Sequence, residues 1–550
     1  MVSFGTRQPV YGRYGMVASS QPLASEIGLR ILKQGGNAVD AAIAMAAALA
    51  VTEPGSTGIG GDCFLLYYDA KTKQVRGLNG SGRSPAALTI QTARATLSDE
   101  LAKGQFVPRA HGHAVTVPGA VAGWVDAIDT WGSLSMSEVL APATHLARDG
   151  FPVSPVSSIL WKRGKFQLDR GPYAHELLIN GRPPRAGEIF RNENLARSFE
   201  EIAAHGKKGF YEGRIAEKIV EMVQLKGGVM TLEDLRTHTS SFVTPIKTSF
   251  EGLDVHEIPP NGQGITALLA LNILEHLMPP KDAMPAHNSA QYLHLLIEAM
   301  RLAFADAKWY VCDMDHTELP LEKLLSKEYA KQRAALLRKD RAVVDPQRGS
   351  PELSCDTVSF QVVDGQGNAV SMVNSNYEGF GTGYIPQGCG FPLQNRGSNF
   401  RLDDPTHPNA LAPNKRPYHT IIPAITTFSS SQDLHSSFTV MGGFMQPQGH
   451  VQVLCNLFYH GLNAQETIDR PRFCIDAKDS GDGASRVFIE EGVADDVIAE
   501  LESVFGHTVV KRVGEERAMF GRGQIILRDP ESGVLCAGSD GRGDGCAMGW

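Results

Sequence analysis

Between Thr357 and Val363 polar and apolar side chains alternate, and strand character resumes at Asn368 beyond a Gly-containing turn. The stretch SCDTVSFQVVDGQGNAVSMV, residues 354–373, therefore predicts two paired strands at 358–364 and 368–374. Further strands are predicted at 421–428 and 437–441, with a last pair near 523–536. Helical spacing dominates elsewhere. LASEIGLRILKQGG (23–36) sets Ile27, Ile31 and Leu32 on one face and stops at a glycine pair. Asn37 then caps AVDAAIAMAAALAV (38–51), which is shorter than the roughly 20 residues a bilayer requires and carries Asp40, so it reads as a buried helix. CFLLYYD and QVRGLN read as strands with AKTK between them, and NGSGRSP (79–85) as a loop. Helical patterns run from Ala120 to about Asp340, including residues 288–311, with a strand-like passage from Phe250 to Pro259. Residues 339–355, charged and carrying two prolines, read as a linker, and helices near 447–461 and 495–505 close the pattern. The order predicts an α+β protein of stacked helical and antiparallel sheet layers.

Composition narrows the class. The 550 residues are 42% hydrophobic and 20% charged with a formal net charge of −8, the profile of a soluble globular chain with a large core. The acidic balance and the absence of a basic run argue against nucleic acid as a partner. The stretch MVSFGTRQPVYGRYG has no apolar core, which leads us to expect a cytoplasmic protein without a membrane partner. Cysteines 63, 312, 355, 389, 455, 474, 536 and 546 form no C-x-x-C pair, so neither a zinc site nor a dithiol motif is expected, and no metal or cofactor is called for.

The candidate chemistry starts at the first of the paired strands. A threonine hydroxyl is a poor nucleophile at neutral pH, and one solution is the amino group of the same residue when it begins a chain. Such an amine ionises at about 7.7–8.0, so part of it is neutral at pH 7. Thr357 acquires one only if the Asp356–Thr357 bond is cut, and attack of its own hydroxyl on the Asp356 carbonyl, followed by ester hydrolysis, would cut it. The linker before it is a place where a break is tolerated. Gly442 and Gly443, in VMGGFMQPQGH, sit between a strand and a helix, where backbone N–H groups can stabilise an oxyanion. A strand opening on Thr and a glycine pair in a turn are also ordinary structure. GSTGIGG lacks the lysine of a phosphate loop, His111 and His113 have no third ligand beside them, and Cys355 has no evident base.

Ordered blocks along nearly the whole chain resemble the γ-glutamyltranspeptidase (glutathione hydrolase) family of N-terminal-nucleophile hydrolases. They are residues 15–64, TVPGAVAGW, GGVMTLEDL, PPNGQG, DTVSFQVVDGQGNAVSMVNSNYEGFGTG, PNKRP, the glycine pair and GSDGRGDG. The resemblance implies a four-layer αββα sandwich and a precursor that cleaves itself into a large subunit, 1–356, and a small one, 357–550, together one catalytic unit. It implies Thr357 as nucleophile, Ser375 as a second hydroxyl orienting it, and Gly442 and Gly443 as the oxyanion pair. It also marks departures. Ser81 stands where the family has a carboxylate-binding arginine, with Arg83 two residues on as the candidate replacement. Asn399 replaces an ammonium-binding aspartate with Arg396 three residues before it, and His419 and Thr420 replace a serine pair. The implied activity is hydrolysis of γ-glutamyl amides such as glutathione. A glutaryl- or oxamate-type acylase, or a homologue that binds acidic metabolites without processing, is the alternative. Exchanging a carboxylate for an amide removes the counter-charge of an ammonium, and an added arginine favours an anionic group.

Overall fold

The computed structural model of the chain describes residues 7–98, 103–342, 356–475 and 486–550. Residues 343–355 of the predicted linker, Cys355 among them, and the side chain of Asp356 lie outside the described residues.

Two seven-stranded sheets form the centre. The first runs Val10–Gly12, Leu535–Ser539, Arg522–Arg528, Leu434–Met441, Ala424–Phe428, Leu253–Glu257, Ile246–Phe250. The second runs Cys546–Gly549, Met16–Ser19, Asp356–Val363, Ala369–Tyr377, Asp62–Asp69, Gln74–Gly80, Ser241–Val243. Strand pairing within both is antiparallel.

Alternation along each strand separates three apolar layers. On the second sheet Leu65, Val358, Phe360, Val362 and Val370 pack with helices Pro22–Lys33, Ala38–Thr52 and Ala120–Trp131. On the first sheet Val255, Phe438, Val440 and Ile525 pack with helices Gly264–Leu274, Ala290–Tyr310 and Met445–His460. Met16, Phe64, Leu66, Ile425 and Ile526 fill the space between the sheets. Helix, sheet, sheet, helix is the expected sandwich, with its innermost layer formed by alternate residues of both sheets.

Helix Ala38–Thr52 is buried at every residue, and the Asn37 side chain accepts the Val39 and Asp40 N–H groups while Asp40 returns a bond to the Asn37 N–H. That reciprocal cap starts the helix where the sequence places it. The strand-like passage from Phe250 to Pro259 holds strand Leu253–Glu257. It belongs to a hairpin, Ile246–Phe250 with Leu253–Glu257, turning at Glu251 and Gly252 with φ of 49° and 86°. Strands Met16–Ser19 and Cys546–Gly549 were not legible from the pattern, because each is four residues long and is defined by partners far away in sequence. Among the described residues, no helix is long and apolar enough to cross a membrane.

Candidate active site

The facing of Thr357 is set by its neighbours. Val358, Phe360 and Val362 are almost wholly buried against the outer helices. Each such burial contributes about 1.5–3 kcal/mol, so slipping the strand by one residue is costly. Thr357, Ser359 and Gln361 must then point into the space between the sheets. Gln361 shows it: its Nε2 donates to Thr439 Oγ1 at 2.9 Å and its Oε1 accepts from Ser437 Oγ at 2.6 Å, both on the opposing sheet.

Opposite Thr357 the ladder bulges. Val358 pairs with Asn374 but Asp356 with Tyr377, so the neighbouring strand carries an extra residue there. Ser375 consequently lies across from Thr357 on the same face, with the two hydroxyl oxygens 3.0 Å apart and both residues fully buried. The Tyr377 N–H donates to Ser375 Oγ at 2.9 Å. Tyr377 has a φ of 78°, a conformation rare for a bulky side chain. Its ring lies under the guanidinium of Arg396, 4.1 Å from Cζ to centroid, and its hydroxyl donates to Asn399 Oδ1 at 2.7 Å.

Arg396 is fully buried, and its Nη1 donates to Thr420 Oγ1 at 2.7 Å. The Thr420 carbonyl in turn accepts from Gln263 Nε2 at 2.6 Å, and the same nitrogen donates to the Gly443 carbonyl at 2.8 Å. An unbroken series of contacts thus runs from Thr357 through Ser375, Tyr377, Arg396, Thr420 and Gln263 to the glycine pair. Gly442 and Gly443 join strand Leu434–Met441 to helix Met445–His460 with φ of 128° and 56°, conformations that favour glycine. The Gly442 carbonyl accepts the Met445 N–H at 2.9 Å. In a trans peptide the N–H opposes the C=O, so the Gly443 N–H points away from the helix.

His419 is brought to this segment in a role its sequence position did not disclose. Its Nε2 donates to Asp62 Oδ2 at 3.0 Å and its Nδ1 accepts the Ile421 N–H at 3.3 Å, so both ring nitrogens are engaged. Burial, helped by the charge of Arg396, pushes its pKa down to about 3, and it is neutral. Asp62 Oδ1 accepts from the Gly82 and Gly119 N–H groups at 2.9 and 3.1 Å and from Gln394 Nε2 at 2.9 Å. Burial opposes the Asp62 charge, but the bonds from His419 and Gln394 and the charge of Arg396 outweigh it and hold the carboxyl below its usual range.

Arg83 is not brought to this cluster. Its Nη1 donates to the Thr239 carbonyl at 3.1 Å and its Nη2 lies 3.4 Å from the exposed carboxylate of Asp315. A different arginine contacts Ser81: Arg416 is buried and its Nε donates to the Ser81 carbonyl at 3.0 Å. Burial and the charge of Arg83 lower its pKa to about 10, which leaves it a cation at neutral pH. Asn399 turns both ends of its amide to protein, accepting from Tyr377 and donating from Nδ2 to the Tyr418 carbonyl at 3.0 Å. Asp62, Gln263 and Arg416 escaped the sequence reading, although they lie in GIGGDCF, PPNGQG and PNKRP, within blocks that carry the family resemblance.

A buried trio elsewhere, His294, Glu298 and His507, has the donor types of a metal site. Its hydrogen bonds describe a different arrangement. Arg301 Nη1 donates to Glu298 Oε1 at 2.6 Å and to His507 Nδ1 at 3.3 Å, and His507 Nε2 meets His294 Nδ1 at 2.8 Å. His294 Nε2 then donates to the Arg338 carbonyl at 2.8 Å. A cationic guanidinium directed at two of the three ligands disfavours a metal ion there.

Residues 24–550 match the family described as Gamma-glutamyltranspeptidase. The chain is 36% identical over 541 residues to the glutathione hydrolase-like YwrD proenzyme of Bacillus subtilis (strain 168), covering 98% of this chain and 99% of that one. It is 31% identical over 544 residues to the oxamate amidohydrolase proenzyme of Klebsiella pneumoniae subsp. pneumoniae, covering 98% of each. Among solved structures, the cephalosporin acylase from Bacillus halodurans is similar with a TM-score of 0.89 at 40% identity, covering 100% of this chain and 98% of that one.

Proposed function

The chain belongs to the gamma-glutamyltranspeptidase family and is an amidohydrolase with the N-terminal-nucleophile fold, and on that premise we propose that its nucleophile is Thr357, exposed as a chain terminus by self-cleavage after Asp356. The observation that carries this is the contact series joining the Thr357 hydroxyl, through Ser375, Tyr377, Arg396, Thr420 and Gln263, to Gly443. In the precursor the Thr357 hydroxyl adds to the Asp356 carbonyl, the C–N bond breaks to free the amine and leave an ester, and water hydrolyses that ester to the Asp356 carboxylate and the free Thr357 hydroxyl. In turnover that amine takes the hydroxyl proton as Oγ1 attacks the substrate amide, and returns it to the departing nitrogen. The Gly442 and Gly443 N–H groups stabilise the tetrahedral oxyanion, and water releases the acid from the ester.

The substrate is an amide of a short acid with a terminal carboxylate. Arg396, buried and stacked on Tyr377, supplies the positive charge of the acyl pocket. The Asp62 carboxylate is enclosed by N–H donors from Gly82, Gly119, Gln394 and His419, so it is poorly placed to receive a substrate ammonium. Asn399 brings no charge. This pattern favours a glutaryl-like acyl group over γ-glutamyl. The γ-glutamyl reading is supported by the glutathione hydrolase-like relative from Bacillus subtilis.

Sequencing the amino terminus of the smaller fragment and comparing glutaryl with γ-glutamyl anilides tests both levels. The expected results are a terminus at Thr357, lost with cleavage in Thr357→Ala, and faster turnover of the glutaryl compound. An uncut protein that turns over either anilide removes the mechanism, and a clear γ-glutamyl preference removes the substrate assignment.

A further inference from the structure

We infer that Gln263 is a positioning residue that couples the oxyanion-binding turn to the wall of the acyl pocket; this rests on Gly442 and Gly443 being the oxyanion donors. Gln263 is fully buried just before helix Gly264–Leu274, and each polar end of its side chain is used. Its Nε2 donates to the carbonyls of Gly443 and Thr420 at 2.8 and 2.6 Å, and its Oε1 accepts from the Tyr418 hydroxyl at 2.9 Å. Its backbone N–H donates to the His419 carbonyl at 3.0 Å. One residue therefore grips the segment 418–420 at three places and the glycine turn at a fourth.

The grip on the turn has a mechanical consequence. Two adjacent glycines have no side chains to fix their peptide planes; each N–H shares its plane with the carbonyl before it, so the bond to the Gly442 carbonyl sets the Gly443 N–H, and the bonds to the Gly443 carbonyl fix the next plane and so anchor the far side of the turn. The Gly442 carbonyl is held by Met445 and the Gly443 carbonyl by Gln446 at 3.2 Å and by Gln263. Gln263 is the member of this set that comes from outside the helix. Thr420, the other acceptor of the same nitrogen, holds Arg396 through its hydroxyl. An acid group seated against Arg396 thus bears on a segment tied, through one NH₂ group, to the peptide that follows the oxyanion donor. Such a link lets acyl-group binding be expressed in alignment of the reacting carbonyl.

The test compares Gln263→Met, which keeps volume but has no donor, and Gln263→Glu, which turns acceptors toward two carbonyl oxygens. Each is assayed on the anilide of whichever acid, glutaryl or γ-glutamyl, the wild-type protein prefers, and on acetyl anilide. We expect kcat on the acidic substrate to fall by about tenfold or more. The ratio of kcat/KM between acidic and acetyl substrates should fall by at least about fivefold, because only the acidic group uses the link. Tyr418→Phe, which frees only the carbonyl end of Gln263, should move the ratio the same way by less, and carries the comparison should the other variants not fold. An unchanged ratio, with both substrates slowed equally or not at all, overturns the inference. If the wild-type small fragment does not begin at Thr357, the proposed mechanism fails instead, whatever the ratio.

Discussion

Replacing Asp62 by asparagine changes one atom and disturbs four hydrogen bonds. Oδ1 keeps its place and still accepts from Gly82, Gly119 and Gln394, but these bonds lose their ionic acceptor. Bonds to a charged group contribute about 1.5–3 kcal/mol and neutral ones about 0.5–1.5, so three weakened bonds cost about 3 kcal/mol. Where Oδ2 stood, an NH₂ group would face the Nε2–H of His419. His419 cannot escape by shifting its proton to Nδ1, because that nitrogen accepts the Ile421 N–H. The opposed donors add about 1–3 kcal/mol. Removing a buried carboxylate relieves its desolvation, but it leaves the buried Arg396 without that charge. The net expectation for Asp62→Asn is a loss of about 3–5 kcal/mol, the usual cost of breaking a buried pair at one end. Urea unfolding followed by circular dichroism measures it. His419→Phe in the same background removes one of the opposed donors and should recover at least about 1 kcal/mol relative to additivity. A loss under about 1 kcal/mol for Asp62→Asn would show that the carboxylate is not the hub described here.

Three further outcomes follow from the same geometry. Gly442→Ala forces a side chain onto a φ of 128° with its Cβ 3.2 Å from the Gly521 Cα, and kcat on the preferred anilide should fall about 10²–10³-fold with KM little changed; a fall under about fivefold refutes the turn's role. His419 and His238, both buried, keep pKa values near 3 because burial disfavours their cations, against about 6.5 when unfolded. Their contribution is therefore complete above pH 6.5 and is lost as pH falls toward 3, amounting at pH 5 to about 2 kcal/mol each. Unfolding free energies at pH 7.5 and 5.0 should show it, and His238→Gln should reduce the difference; an unreduced difference counts against the assignment. Finally, a break after Asp356 leaves residues 357–363 paired with Met16–Ser19 and Ala369–Tyr377 paired with Asp62–Asp69, so the two pieces should co-elute in native size exclusion and part only in denaturant.

The sequence pattern was informative where alternation or helical spacing ran long. Strands Asp356–Val363 and Ala369–Tyr377 and helix Ala290–Tyr310 lie within a few residues of the predicted bounds. The positions of Ser375, Arg396, Thr420 and the glycine pair followed from family blocks, and the structure gathers them into one contact series. Arg83 illustrates the limit. Two positions from the expected arginine is a small step in sequence, but in an extended chain it carries the side chain elsewhere, and Arg83 meets Thr239 and Asp315. The arginine that does reach Ser81 comes from residue 416, a contact no local pattern encodes. His419 was legible as a substitution but not as a strut, because its meaning depends on Asp62, 357 residues away in the chain.

The layer between the sheets is where these sequence signals combine. Much of it is apolar, through Met16, Phe64, Leu66 and Ile526, and stabilises the sandwich by burial. Toward the site it becomes polar: Gln361 binds Ser437 and Thr439, and Ser371 Oγ accepts the Ala424 N–H at 3.1 Å. Buried polar groups left unpaired would cost about 1–3 kcal/mol each, so the bonds between sheets fix how the two strands approach. One of those strands, Leu434–Met441, runs directly into Gly442, and the other, Asp356–Val363, has Thr357 as its second residue. The register that the apolar alternation sets on the outer faces therefore also determines, on the inner faces, which hydroxyl and which peptide planes are presented together. Replacing Gln361 by an apolar residue would keep both strands yet remove the bonds that align them, and this is why a site built from strand ends depends on residues four and three positions inside them.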